Sequence, residues 1–484
     1  MNFSEVMREE SKWTKTENGA DAKNTTDSAL LDMFATIGSM RNRSEDEIIQ
    51  KFELAFQEDP LGAMRCLFWA RDCRGGAGER RVFRVLLPYI ANKHTDAMMK
   101  NLNSIPEYGR WDDFYSLIDT PVEDEVWERI KLILDTDAIL MEQGKSCTLL
   151  AKWLKKADAS SPNTRKLGIY TAKKLGMSVY DYKRLCVKLR RYIDVVEQRM
   201  SANEWDTINY PSVPSRAMMN YRKAFARHDQ ERFDEYLNKV QSGEQKINSA
   251  TLYPYDIVEK ILYRHEDSKA LEAQWDNLPD YVDGDVNAVV MADVSGSMFG
   301  RPMATSIGLA MYFAERNKSA YHNLFMTFSQ NPKFVAVKGE TITQKIKFIS
   351  RADWGMNTDL EKAVLKILDV AIENHCSQEE MPKSLIVISD MEIDCCTNQK
   401  HRENFYDYVS RVYEEHGYKI PNVVFWNVDS RHDVFLADKD RKGVQLVSGQ
   451  SASTFKNLIG CVDKTPVEMM YSVLNSERYQ AIQI

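Results

Sequence analysis

The stretch NAVVMADVSGSM, residues 287–298, decides how the second half of the chain folds. It is a short, apolar, β-branched run that stops at small polar residues, as a strand buried on both faces of a parallel sheet does. Alternation follows it. A helical pattern covers 304–317, strand-length apolar runs cover 323–329 and 334–337, and a second helix covers 359–374. Strands at 383–390, 422–428 and 443–448 then alternate with helices at 403–417 and 452–460. Such alternation predicts a doubly wound parallel sheet covered by helices, so residues 284–484 are expected to form an α/β domain.

Upstream, from Leu30 to about Tyr281, the apolar spacing is helical. Ser44 and Glu47 make a capping box ahead of the stripe Ile48, Ile49, Phe52, Ala55, Phe56. Pro60 suits the first turn of PLGAMRCLFWARDC (60–73), and Gly75, Gly76 and Gly78 end it before ERRVFRVLLPYIANK (79–93) resumes the period. Amphipathic segments continue at 122–134, 144–156, 163–176 and 181–200. No fixed period is present, yet the succession predicts stacked, HEAT-like helical repeats over residues 26–283. Residues 1–25 are polar and read as a flexible N-terminus.

Composition bounds the function classes. With 484 residues and 43% apolar content, several buried cores are available, which excludes a disordered or fibrous chain. Lys+Arg 64 against Asp+Glu 71 gives a net charge of -7, which excludes a uniformly basic coat but not a local basic surface. No apolar run approaches the ~18 residues of a spanning helix, and MNFSEVMREESKWTK (1–15) has no apolar signal-peptide core, so a cytoplasmic protein without membrane partners is expected. Eight cysteines without a CxxC pair suit a reducing compartment. The adjacent Cys395 and Cys396 read as inert more readily than as a redox pair.

Ligands of open α/β sheets bind beyond the carboxyl ends of the strands. Three loops there carry hard oxygens: Asp293, Ser295 and Ser297; Asn357, Thr358 and Asp359; and Ser389 with Asp390. Asp293, Asp390, Ser295, Ser297 and Thr358 supply two carboxylates and three hydroxyls, a set that suits Mg2+ (or Mn2+) and not nitrogen- or sulfur-seeking metals. The same residues also read as plain helix caps. The order DxSxS, then Thr, then Asp resembles the metal-ion-dependent adhesion site of von Willebrand A domains. That resemblance implies a cation whose open position accepts a partner's carboxylate, and so binding in place of turnover.

A wider resemblance spans both halves. NSATLYPYDIVEKILY (248–263) and VFLADKDRKGVQLVSGQSASTFKNLIG (434–460) are similar to segments of the Ro ribonucleoprotein (TROVE) family. RDCRGGAGERRVFR (71–84), IPEYGRWDD (105–113) and VPSRAMMNYRKAF (213–225) more closely resemble an uncharacterised Ro-like family of plants and viruses. In Ro proteins the helical repeats close into a ring that accepts the single-stranded 3′ end of a misfolded RNA. The resemblance therefore implies a non-coding or misfolded RNA as partner.

Charge is segregated accordingly. Lys145 to Arg191 holds 13 Lys+Arg against Asp158 and Asp181. The candidate RNA-binding residues are Lys152, Lys155 and Lys156, then Arg165, Lys166, Lys173 and Lys174, then Lys183, Arg184, Lys188, Arg190 and Arg191. Trp153, Tyr170, Tyr180 and Tyr182 are interleaved, and such aromatics stack on unpaired bases while the cations release counterions from phosphates. The alternative is a solvated helix face whose aromatics are core. A second candidate is Arg74, Arg80 and Arg81, with Arg71 and Arg84, around the glycines, where turn amides and guanidinium forks could both meet a phosphate; it reads somewhat more readily as a helix-to-helix turn with structural Arg–Glu pairs. A third is Tyr221, Arg222, Lys223 and Arg227. HExxH, GxSxG and paired Cys/His ligands are absent, and no GK[ST] follows the glycines, so no enzyme is expected. Two functions follow: a non-catalytic Ro-like RNA-binding protein with a Mg-dependent site for a protein partner, or a metal-dependent adaptor that binds no RNA.

Overall fold

The computed structural model describes residues 2–282, 286–327, 332–350, 359–395, 403, 405–458 and 464–484. The chain forms two compact units, Met1–Phe83 with Ser249–Gln480 and Arg84–Asn248 with Ala481–Ile484. A helical first part and an α/β second part are both present, but the units do not divide at 283/284. The physical reason lies in the helix Ala29–Ile37, whose residues Leu30 to Ile37 are all buried. A helix buried on every side needs cover all round, and this one packs on the sheet strands near the chain's end.

Near its N-terminus, after the helix Phe3–Ser11, the first unit carries a two-stranded antiparallel ribbon, β1 (Trp13–Lys15) and β2 (Asp21–Lys23). Its main sheet comprises β3 (Ala288–Ala292), β4 (Leu324–Thr327), β5 (Lys333–Ala336), β6 (Ser384–Ser389), β7 (Asn422–Asn427) and β8 (Val444–Ser448). Their order is β5-β4-β3-β6-β7-β8, all neighbours parallel except β4 and β5. That exception corrects the all-parallel expectation. Only residues 328–332 join β4 to β5, and a parallel crossover needs a dozen or more.

The helix Arg301–Arg316 buries Ala304 to Ala314 against β3, β4 and β6. Helix Ala29–Ile37 lies against β7 and β8. There Ser448 Oγ donates to Phe34 O at 2.8 Å and accepts from Gly38 N at 3.0 Å. A Cβ on residue 38 would stand 2.7 Å from Ser448 O, so glycine is what permits the approach.

Residues 2–25, expected to be flexible, are ordered by specific bonds. Asn2 and Glu5 cap the helix Phe3–Ser11, and Lys23 exchanges backbone hydrogen bonds with Phe435 at 3.1 and 2.9 Å. Thr16 Oγ1 donates to Ile393 O at 2.7 Å, and Ala20 and Ala22 are buried. A polar segment can be ordered by backbone pairing, which composition does not register.

The second unit is helical, with no strand among its described residues. Its longer helices are Glu123–Glu142, Pro162–Lys174, Val179–Tyr192, Ser215–His228 and Gln230–Gln241. The helix expected over 144–156 shrinks to Leu150–Trp153. Gly144 turns at φ +69°, and Asp137 takes hydrogen bonds from Thr148 N and Oγ1 at 2.8 and 2.7 Å, holding the preceding segment as a loop.

Candidate metal centre

β3 connects through a helix to β4 on one side, whereas β6 lies on its other side, so the strand order reverses between β3 and β6. Side chains at the carboxyl ends of those two strands face the crevice where such folds bind ligands. Asp293 follows β3 and Asp390 follows β6; Asp293 N donates to Ile388 O at 3.0 Å, continuing the ladder by one residue. The sequence places a carboxylate there because each strand ends as its apolar run ends.

Asp293 is 0% exposed. Its Oδ1 accepts from Ser295 N at 2.9 Å and its Oδ2 from Ser389 Oγ at 2.6 Å. Ser295 Oγ stands 3.0 Å from Ser297 Oγ. Burial first, and the charge of Asp390 second, push the Asp293 carboxyl up to about 7. Asp390 is buried as well, with Oδ1 accepting from Glu392 N at 3.1 Å and Oδ2 paired to Arg431 at 2.7 Å. Beyond β7 a third carboxylate, Asp429, is buried; burial and Asp390 raise its pKa against the pull of Arg431.

Thus the structure brings together Asp293, Ser295, Ser297 and Asp390, while Thr358 lies outside the described residues. The donors fit a hard divalent ion: neighbouring oxygens of an octahedron with ~2.1 Å bonds stand about 3.0 Å apart, the separation of the two serine hydroxyls. Asp390 is paired to Arg431 while the buried Asp293 beside it has no cationic partner among the described residues, a deficit that a cation would meet. Sequence reasoning missed Asp429, Arg431, Glu392 and Glu17. Asp429 was accessible to the strand-end rule applied to β7, but nothing in the local pattern announces Glu17, which reaches Arg431 at 2.7 Å from the N-terminal ribbon.

The basic stretch divides. Arg190 is buried and donates through Nε to Ala151 O at 2.7 Å and through Nη2 to Leu154 O at 2.8 Å, so it is a structural residue and not an RNA contact. Tyr182 is buried and Tyr170 donates to Glu123. Trp153 carries the Arg110 guanidinium 4.4 Å above its ring, with Lys152 Nζ at 5.8 Å. Lys155 pairs with Asp112, Lys174 with Glu123 and Asp124, Lys183 with Asp158 and Arg191 with Glu204. Arg165 is exposed and donates to Ala159 O at 3.3 Å. Lys156, Lys166, Lys173, Arg184 and Lys188 are exposed and make no ion pair among the described residues. On helix Val179–Tyr192 the exposed residues Tyr180, Arg184, Val187, Lys188 and Arg191 recur at three- and four-residue spacing, one solvent-facing stripe.

The glycine cluster is not an anion nest. The amides of Gly76 and Gly78 donate to Asp72 O, Ala77 N to Trp69 O and Glu79 N to Ala70 O, so these four do not converge on a phosphate. Arg81 Nη1 donates to Arg41 O at 3.0 Å and Arg43 O at 2.8 Å, a correction to its assignment as a nucleic-acid contact. Arg84 pairs with Asp112 and Asp113, while Arg71 and Arg222 are buried. Arg74 and Arg80 are exposed.

The chain is therefore of the class that joins a helical region to an open, doubly wound α/β sheet with an acidic crevice at its switch point. Residues 16–146 and 142–285 match the domain of unknown function DUF2828, more than half of the chain, and the protein belongs to that family. Residues 287–478 match the domain of unknown function DUF7788. An uncharacterised protein of Acanthamoeba polyphaga mimivirus is 27% identical over 503 residues, spanning 95% of this chain and 86% of its own length. No helix among the described residues is long and apolar enough to cross a membrane.

Proposed function

We propose that this is a non-catalytic, Ro-like RNA-binding protein in which HEAT-like helices grip single-stranded ends or structured non-coding RNA, and a von Willebrand A-like domain offers a Mg-dependent site to a protein partner. The observation that carries the RNA reading is the set of exposed cations that make no salt bridge among the described residues, Lys166, Lys173, Arg184 and Lys188, together with the 70%-exposed ring of Tyr180. Cations committed to salt bridges would have to give up a carboxylate before meeting a phosphate; these do not. Filter binding of single-stranded RNA across a salt series tests it, with the absorbance ratio at 260 and 280 nm after a high-salt wash as a first screen. An affinity that is absent, or flat with salt, ends the RNA reading.

In the second reading the protein is a metal-dependent adaptor and the helices only scaffold. Its support is the paired burial of Asp293 and Asp390. Asp293, Ser295, Ser297 and Asp390 would hold the ion, directly or through water, with Mn2+ able to replace Mg2+. When bound, the ion would offer its charge to a partner's carboxylate. Ser389 Oγ and the Ser295 amide fix the orientation of the Asp293 carboxylate. Calorimetric titration of Mg2+ into wild type and Asp293→Ala decides this part, and equal affinities would reduce the cluster to helix caps.

A further inference from the structure

The divalent-cation reading leaves one residue of the crevice unexplained. Arg431 Nη2 holds Asp390 Oδ2 at 2.7 Å, while its Nη1 holds Glu17 Oε2 at the same distance. Its Nε is buried and has no hydrogen-bond partner. A guanidinium normally satisfies its fork; one that leaves a buried donor unmet is not held in its optimum. Asp390 Oδ1 accepts from the backbone amide of Glu392, and Oδ2 is the oxygen that Arg431 covers. A divalent ion bound there and Arg431 therefore seek the same oxygen and repel each other.

Glu17 gives the guanidinium somewhere to go. It sits at the tip of the β1–β2 ribbon, fixed by its amide donating to Glu392 Oε2 at 2.6 Å, by Thr16 Oγ1 donating to Ile393 O and by Asn18 Nδ2 donating to Glu392 O, the last two at 2.7 Å. The other carboxylate oxygen of Glu17 faces His432 Nδ1 at 3.3 Å. The ribbon is thus anchored on the segment that follows Asp390.

Resting on the metal reading above, we propose that Arg431 is the in-chain counter-cation of this site, displaced from Asp390 when a divalent ion binds and then received by Glu17. Arg431 lowers the ion affinity and Glu17 raises it. The two residues set the affinity in opposite senses although they are bonded to each other.

Calorimetric titration of Mn2+ into the full chain tests this with Arg431→Gln, Glu17→Gln and the double variant, each first checked for an unchanged melting transition. Arg431→Gln should bind Mn2+ about tenfold more tightly, and Glu17→Gln several-fold more weakly. In the double variant the Glu17→Gln effect should shrink to less than about twofold, since its acceptor role has vanished. Should Arg431→Gln not fold, Glu17→Gln against wild type carries the test alone. Wild type without Mn2+ affinity would overturn the metal reading itself. Mn2+ bound by wild type with unchanged or weaker affinity in Arg431→Gln, or unchanged or tighter affinity in Glu17→Gln, would overturn the counter-cation role and leave the metal site standing.

Discussion

Asp293 and Glu123 are both carboxylates shielded at the end of an element, and their surroundings act on them in opposite senses. Asp293 lies between buried neighbours with Asp390 beside it, and its carboxyl rises to about 7. At Glu123 burial alone would also raise the pKa, but Tyr170 OH, Trp127 Nε1 at 2.8 Å, Asp119 N at 2.9 Å and Lys174 Nζ at 3.3 Å outweigh it and hold the group at about 2. Glu123 has every partner it can use, which marks a structural anchor. Asp293 has no cationic partner among the described residues, which is the feature the proposed cation site rests on.

The sharpest break of that contrast is Asp293→Ala. Mg2+ affinity should fall more than a hundredfold by calorimetry. Ion at 100 times its Kd should stabilise wild type by about 2.7 kcal/mol and leave the variant unmoved. A variant that still gains stability from Mg2+ would place the cation elsewhere.

Next in size is reversal of the unpaired cations. Lys166, Lys173, Arg184 and Lys188 changed together to Glu should weaken single-stranded RNA binding at least a hundredfold at low salt. The salt slope should flatten by ~0.7 for each phosphate that is no longer neutralised. Reversing Arg190 instead should unfold part of the second unit, because its guanidinium is bonded to backbone carbonyls inside it. RNA affinity unchanged in the fourfold variant would remove this face from the reading.

These two regions also differ in how legible they were. The strand–Asp–Ser pattern at 288–297 displayed the buried strand and the carboxylate at its end, since an apolar β-branched run that stops at small polar residues is how a strand of a parallel sheet ends. On the helices, charge density could not separate a free lysine from a paired one. Lys173 and Lys174 are neighbours in sequence, yet only Lys174 pairs with Glu123 and Asp124, acids some fifty residues away. Long-range pairing likewise hid Glu17 beside Arg431, and the seating of helix Ala29–Ile37 on β8. Local periodicity reports what a segment needs to bury, not against what.

Glu123 sharpens the comparison from the structural side. Its folded pKa lies below the ordinary 4.5, so the ionised form contributes stability above that value and loses it as pH falls toward about 2. Glu123→Gln should therefore cost roughly 1–2 kcal/mol at pH 7, the worth of hydrogen bonds to a charged group. The deficit should shrink as the pH falls toward 2 and close below it, where wild type is also neutral. Urea midpoints of both proteins across that range measure it, and a deficit constant with pH would make the loss one of packing alone.

The smallest expected effect is at Tyr180. Its ring is 70% exposed on the first turn of helix Val179–Tyr192, in the stripe that carries Arg184 and Lys188. An exposed ring contributes little to folding, so Tyr180→Ala should leave the melting temperature nearly unchanged. A stacked base is worth ~1 to 3 kcal/mol, and a ring at the end of the stripe should deliver the lower figure, about fivefold in affinity. That loss should appear with single-stranded RNA and not with duplex RNA, whose bases present no free face, and competition titrations with the two forms separate them. Equal loss with both would mean that Tyr180 shapes the helix end and does not stack. No loss with either would leave the stripe to act through charge alone.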